Sequence, residues 1–230
     1  MNIKILQGIE GAKKARGIAV IIDVFRAFTV EAYLMNNGAK KIIPVADKEL
    51  AYDYKNNNSE IILIGERGGK ILPGFDYGNS PSQIEKLDFH NKVIVHTTSS
   101  GTQGLVNAAD ADIILTGSLV NAKAIANFIL KNNYQEISLV CMGSNGNKET
   151  DEDNLCAYYI KSLLENKDIS ITKDINKLKE TSGKKFFDPT LQDIFPLKDF
   201  FLSTDINKFN FVLKLEEDNN HLKYIKRIDL

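Results

Sequence analysis

At 230 residues with 43% hydrophobic positions, the chain is long enough to bury one large core or two small apposed ones, which excludes a disordered protein. Lys and Arg (29) nearly balance Asp and Glu (30), for a formal net charge of -1. No global basic field exists to hold nucleic acid or an anionic membrane, so any anion must be recognised locally. The N-terminal stretch lacks a continuous apolar segment with a cleavage site, and no run reaches bilayer length, which leads to the expectation of a soluble, cytoplasmic protein without a membrane partner. Cys141 and Cys156 form neither a CxxC pair nor a metal-type cluster and read as buried thiols.

Gly17 to Ile22 is a continuous apolar run, as a strand covered on both faces requires, and it ends on Asp23. Phe28, Ala32 and Met35 recur at helical spacing until Asn36, Asn37 and Gly38, and Lys41 to Val45 follows as a strand. A polar helix over 47–57 leads to a strand at Ile61 to Ile64, then to a long loop rich in Gly and Pro up to Ser82. Lys92 to His96 is a strand that opens into Thr97, Thr98, Ser99, Ser100, Gly101 and Thr102, with a helix from Leu105 to Ala109. Asp112 to Leu115 and Ile137 to Cys141 are strands around the helix marked by Ala122, Ile125, Ala126 and Ile129. Leu155, Tyr159 and Leu163 stripe a helix that begins near Thr150. Beyond Asp168 the pattern weakens, and Phe209 to Leu215 and Leu222 to Ile228 read as a hairpin about Asp218, Asn219 and Asn220. Strands alternating with helices predict an α/β layered fold with a mostly parallel sheet.

In such sheets ligands bind beyond the carboxyl ends of the strands. The polar residues there are Asp23 and Arg26, Glu66 and Arg67, Thr97 to Thr102, Ser118 and Asn121, and Ser144 to Glu152, all expected on one edge. In the loop from Gly65 to Ser82, glycines such as Gly69 permit close backbone approach, while Asn79 and Ser80 add hydrogen bonds; a self-packed loop is the alternative. The TTSSGT segment at a helix start suits an oxyanion, although Ser and Thr also cap helices. Thr150 to Asp153 matches a capping box, so Glu152 and Asp153 either stabilise a first turn or, with Asp23 and Glu66, hold a hard divalent cation.

Several phosphatase nucleophiles are absent. Phe25 stands where a DxD strand end would carry its second acid, and Asn147 and Ser162 stand where Cys141 and Cys156 would each need an arginine for a Cx5R loop. His90, His96 and His221 lie far apart, and no GxGxxG follows the first strand.

With these residues in view, the chain resembles the 2-phosphosulfolactate phosphatase family of coenzyme M biosynthesis. The resemblance runs through most of residues 17–165 and is carried by IDVFRAFT (Ile22 to Thr29), NGAKKIIPV (Asn37 to Val45), GERGG (Gly65 to Gly69), PGFDYGNSP (Pro73 to Pro81), TTSSGT (Thr97 to Thr102), GSLVNA (Gly117 to Ala122) and DEDNLCA (Asp151 to Ala157). The family commonly has TTNGT where this chain has TTSSGT, and the C-terminal part matches less well.

The resemblance implies a three-layer α/β/α fold, as one domain over 1–230 or two apposed lobes of similar topology, with a β-containing part from about residue 168. It implies Mg2+ as cofactor and hydrolysis of (R)-2-phospho-3-sulfolactate to 3-sulfolactate and phosphate, and leaves a homo-oligomer open. Asp23, Arg26 and Glu66 are then the expected catalytic residues. Arg67, Gly69, Asn79, Ser80, Thr97, Thr98, Ser99, Gly101, Thr102, Ser118 and Asn121 are expected to bind the small anionic substrate, with the metal on Asp23, Glu66, Glu152 and Asp153. Water attack is favoured over a transient phospho-Asp23. A non-catalytic binding protein, or an isomerase or lyase, for a small phosphorylated or sulfonated hydroxy acid is the alternative.

Overall fold

The computed structural model describes residues 1–167 and 169–230; residue 168, at which the sequence pattern changes, lies outside them. The first half runs β1 (Asn2–Gln7), α1 (Gly8–Lys13), β2 (Ile18–Ile22), α2 (Ala27–Asn36), β3 (Lys41–Pro44), α3 (Lys48–Asn57), β4 (Ile62–Arg67), β5 (Lys70–Ile71) and α4 (Pro81–Ile84). It continues with β6 (Val93–Thr97), α5 (Gly101–Asn107), β7 (Ile113–Gly117), α6 (Ala122–Lys131), β8 (Glu136–Cys141) and α7 (Asp151–Leu164). Then come α8 (Thr172–Leu178), short 3-10 turns, α9 (Leu197–Ser203), β9 (Phe211–Glu217) and β10 (Lys223–Asp229).

All ten strands join one sheet in the order β1-β8-β2-β7-β9-β10-β3-β6-β4-β5. Period-2 alternation sends Ala19 and Ile21 of β2 to one face and Ile18, Val20 and Ile22 to the other, and every residue of the strand is buried. The first face forms a single core that runs under α1, α2 and α5 and spans strands from both ends of the sheet. Two separate cores occupy the opposite face, one beneath α6 and α7 and one beneath α3. The result is the expected α/β/α layering. Helix α2 lies deepest, with Ala27 to Met35 all buried, so it is apolar on nearly every side.

The C-terminal hairpin forms as read, with Phe211 opposite Asp229 and Glu217 opposite Lys223. Its place is a finding: it sits mid-sheet, β9 antiparallel to β7 and β10 antiparallel to β3. Three successive antiparallel pairings reverse the sense of the sheet, so β1, β8, β2 and β7 run one way and β3, β6 and β4 the other. The strand ends therefore do not share one edge, as the sequence suggested. Sheet twist of roughly 20–25° per strand accumulates between β2 and β6 and swings the carboxyl end of β6 round toward that of β2. Weak junctions help, since β10 and β3 share a single paired position, Ile225 with Ile42.

Two further differences concern elements. The sequence reading did not identify β1 or α1, and the loop expected from Gly65 begins later because β4 extends to Arg67. There Gly68 and Gly69, at φ +60 and +83, close a two-residue turn onto β5.

Candidate active site

The converging strand ends enclose a cleft of about 320 Å3, lined from one half-sheet by Asp23, Phe25, Arg26, Gly143, Ser144, Asn145, Thr150 and Glu152. The other half supplies Glu66, Gly68, Gly69, Asn79, Thr98, Ser99 and Ser100, and the C-terminal segment adds Lys185 and Phe195. Of the residues singled out in the sequence, Asp23, Arg26, Glu66, Gly69, Asn79, Thr98, Ser99 and Glu152 meet here.

Asp23 follows β2 directly. Its Oδ1 accepts from the Ala27 amide at 3.1 Å, capping the first turn of α2, while Oδ2 has no protein donor among the described residues. Burial, reinforced by the nearby charges of Glu66 and Glu152, pushes its pKa up to about 7. Helix α5 comes close enough that a Cβ on Gly101 would lie 3.0 Å from Oδ2 and 2.9 Å from Ala27 Cβ. Gly101 thus leaves no room for a side chain against Asp23, and it does not itself line the cleft.

The four acids expected to hold a metal divide into two kinds. Glu66 is engaged by its own loops: Oε1 accepts from Ser99 N at 2.7 Å and Oε2 from Gly69 N at 2.6 Å. Asp153 does not line the cleft; its oxygens accept from Val24 N and Gly143 N, both at 2.8 Å, tying the end of β2 to that of β8. Glu152 differs, because its Oε2 is buried and, among the described residues, has no hydrogen-bond partner, as is true of Oγ1 of Thr150. The capping box read at Thr150 is not made. Burial raises the pKa of Glu152, opposed by Ser182 and Lys185 nearby. Among the described residues, no three His, Cys, Asp or Glu side chains come together as a metal cluster. Free oxygens of Asp23 and Glu152 nevertheless fit a hard cation that keeps most of its shell for water and ligand oxygens.

Arg26 is buried, with Nη1 donating to Asp199 Oδ2 at 2.6 Å and to Ile194 O at 3.0 Å, and its guanidinium lies 5.1 Å from the Phe195 ring centroid. Asp199, fully buried, also accepts from Ser80 Oγ and Ser82 N at 2.9 Å, so Ser80 braces Arg26 from outside the cleft. Phe195 presses on Gly69, where a Cβ would meet its ring at 2.5 Å. Asn79 Oδ1 is another buried oxygen without a partner among the described residues.

Arg67 stands apart from the expectation that it meets substrate. It does not line the cleft, and its guanidinium donates to Glu66 O, Ala46 O and Thr97 Oγ1 at 2.6, 3.1 and 2.9 Å, which also occupies Thr97. Thr102 and Thr98 bond to one another, and the Ser99 amide is taken by Glu66, so the TTSSGT backbone is less open than its sequence suggested. Ser118 and Asn121 close a capping box on the turn after β7, and Ser118 also meets Thr29 at 2.6 Å behind Asp23. Lys185, Phe195 and Asp199 were not anticipated; Lys185 and Phe195 lie among short turns and Asp199 in the first turn of the short helix α9, where no hydrophobic period marks a side chain. Burial lowers the pKa of Lys185, countered by Glu152. Cys141 and Cys156 are buried free thiols whose pKa burial raises, and neither lines the cleft.

An α/β/α protein whose cleft sets carboxylates beside the buried Arg26 and the half-buried Lys185 is of the class that handles small anionic substrates. The sequence profile described as 2-phosphosulpholactate phosphatase matches residues 3–217. Among curated relatives, a "Probable 2-phosphosulfolactate phosphatase" of Caldicellulosiruptor saccharolyticus is 39% identical over 173 residues, covering 73% of this chain and 71% of that protein. One of Clostridium perfringens is 36% identical over 70% of this chain and 66% of its own length, and one of Bacillus subtilis is 31% identical over 95% of each. The chain belongs to the 2-phosphosulpholactate phosphatase family. Among the described residues, no helix is long and apolar enough to cross a membrane.

Proposed function

We propose that the chain hydrolyses the phosphate monoester of (R)-2-phospho-3-sulfolactate, giving 3-sulfolactate and inorganic phosphate, with Mg2+ as cofactor and in the cytoplasm. The observation that carries this reading is the meeting, in one cleft, of the Asp23 and Glu152 carboxylates, each with an oxygen that has no partner among the described residues, and the cations of Arg26 and Lys185. Asp23 and Glu152 would hold the cation, which when bound neutralises phosphoryl charge and lowers the pKa of water.

The chain's own residues do the rest. Arg26, fixed by Asp199, presents a planar donor to the phosphoryl oxygens, and Thr98 and Ser99 line the cleft on the opposite half-sheet, held there by their bonds to Thr102 and Glu66. Phe25 and Phe195 limit solvent on the side of the C-terminal segment. Glu66 holds the two phosphate-facing loops together. Water attacks phosphorus, and the P–O ester bond breaks with its electron pair leaving on the sulfolactate oxygen, which takes up a proton.

Product analysis in 18O-labelled water tests the reading. Expected are equal amounts of sulfolactate and phosphate, with one labelled oxygen on phosphate, formed with Mg2+ and not with a chelator. A binding protein would leave the ester intact. An isomerase would keep phosphorus esterified, and an eliminating lyase would give unlabelled phosphate without sulfolactate.

A further inference from the structure

The two cations of the cleft are not equivalent. Arg26 already faces a carboxylate, Asp199, at 2.6 Å. Lys185 is half-buried and, among the described residues, makes no ion pair and no hydrogen bond; its ammonium rests 5.0 Å from the Phe195 centroid and 5.5 Å from that of Phe186. Partly desolvating a lysine without a carboxylate costs free energy, and the aromatic faces return only part of it. Such a charge is matched when a ligand anion enters. Arg26 and Lys185 share the Phe195 ring, so both cations border the same space. Lys185 lines the cleft together with Asp23 and Glu152, whereas Gly78 and Ser80 do not line it.

We propose that Lys185 is a catalytic residue, whose ammonium contacts the transferring phosphoryl group and stabilises the charge that builds there as the P–O bond breaks. This rests on the phosphatase reading above. Lys185 keeps its proton throughout and acts as a point charge opposite the planar donor of Arg26. The assignment also separates the phosphoryl group from the sulfonate: Lys185 serves the part common to every substrate of this reaction.

Phosphate release by wild type, Lys185→Met and Lys185→Arg, with phosphosulfolactate and with phospholactate, which lacks the sulfonate, is the test. Lys185→Met should lower kcat about 100-fold on both substrates with KM within a few-fold, because the contact strengthens in the transition state. Vanadate inhibition should weaken alongside, Lys185→Arg should recover most of the rate, and thermal unfolding should change little, because among the described residues no ion pair or hydrogen bond of Lys185 is lost and methionine still packs on the Phe186 and Phe195 rings. Unchanged kcat in Lys185→Met overturns the role, and so does a loss confined to KM for the sulfonated substrate. Wild-type protein that releases phosphate from neither substrate overturns the phosphatase reading, and this role with it.

Discussion

Asp23→Asn should lower kcat/KM by about 1,000-fold or more, roughly 4 kcal/mol of transition-state stabilisation, without unfolding the protein. The side-chain oxygen that caps Ala27 survives in asparagine, so the first turn of α2 keeps its acceptor. What disappears is the charge on the oxygen facing the cleft. The same substitution has a stability signature in metal-free protein. The folded-state pKa of about 7 lies above the ordinary carboxylate value, so the contribution of Asp23 to stability is full in acid and is lost as pH rises toward and through 7. Asparagine has no such loss, and the variant should gain on wild type between pH 4 and pH 8 in thermal unfolding. Wild-type turnover in Asp23→Asn would remove this carboxylate from the mechanism.

Asp199→Ala is expected to cost about 3–5 kcal/mol of stability, because it leaves the Arg26 guanidinium buried and unpaired. Ser80 Oγ and Ser82 N lose their acceptor in the same step, freeing the segment that carries Asn79 into the cleft. Turnover should fall as well, since Arg26 is no longer held. Asp199→Asn keeps an acceptor for Ser82 N and should be milder. Urea unfolding of Asp199→Ala, of Arg26→Met and of the double variant measures the coupling, expected above about 1 kcal/mol for groups in direct contact. Additive losses would mean that the pair is not a unit.

How much of this was legible depended on the kind of signal. β2, β6 and β8 were readable because strands buried on both faces are written as uninterrupted apolar runs, and observed ends differ from the reading by a residue or so. The hairpin was readable from its two β-rich runs and the Asp218 turn, where Oδ1 accepts from Asn220 N and Leu222 N. Its insertion mid-sheet was not, because strand order is a tertiary choice that no local pattern encodes. The same limit explains the site. Asp23 and Glu152 follow a strand and open a helix, positions that local reasoning reaches. Glu66 and Asp153 look alike in sequence, but the amides that satisfy them come from residues up to 129 positions away. Arg67 reads as part of the glycine loop, but it ends β4 beside the Gly68-Gly69 turn, and its side chain folds back onto Ala46 and Thr97. Lys185, Phe195 and Asp199 come from a stretch of short helices and turns with no period to read, brought to the cleft by an aromatic cluster of Phe25, Phe186 and Phe200.

Phosphoryl transfer, on this reading, takes place in the cleft where the two half-sheets turn their carboxyl ends together. A crystal structure of the protein with Mg2+ and vanadate tests it most directly. The account predicts the vanadium centre between Asp23 and Glu152 on one side and Arg26, Thr98 and Lys185 on the other. Vanadate bound instead outside this cleft, in the groove beside Lys179 and Lys184, with Asp23 and Glu152 free of any cation, would contradict it.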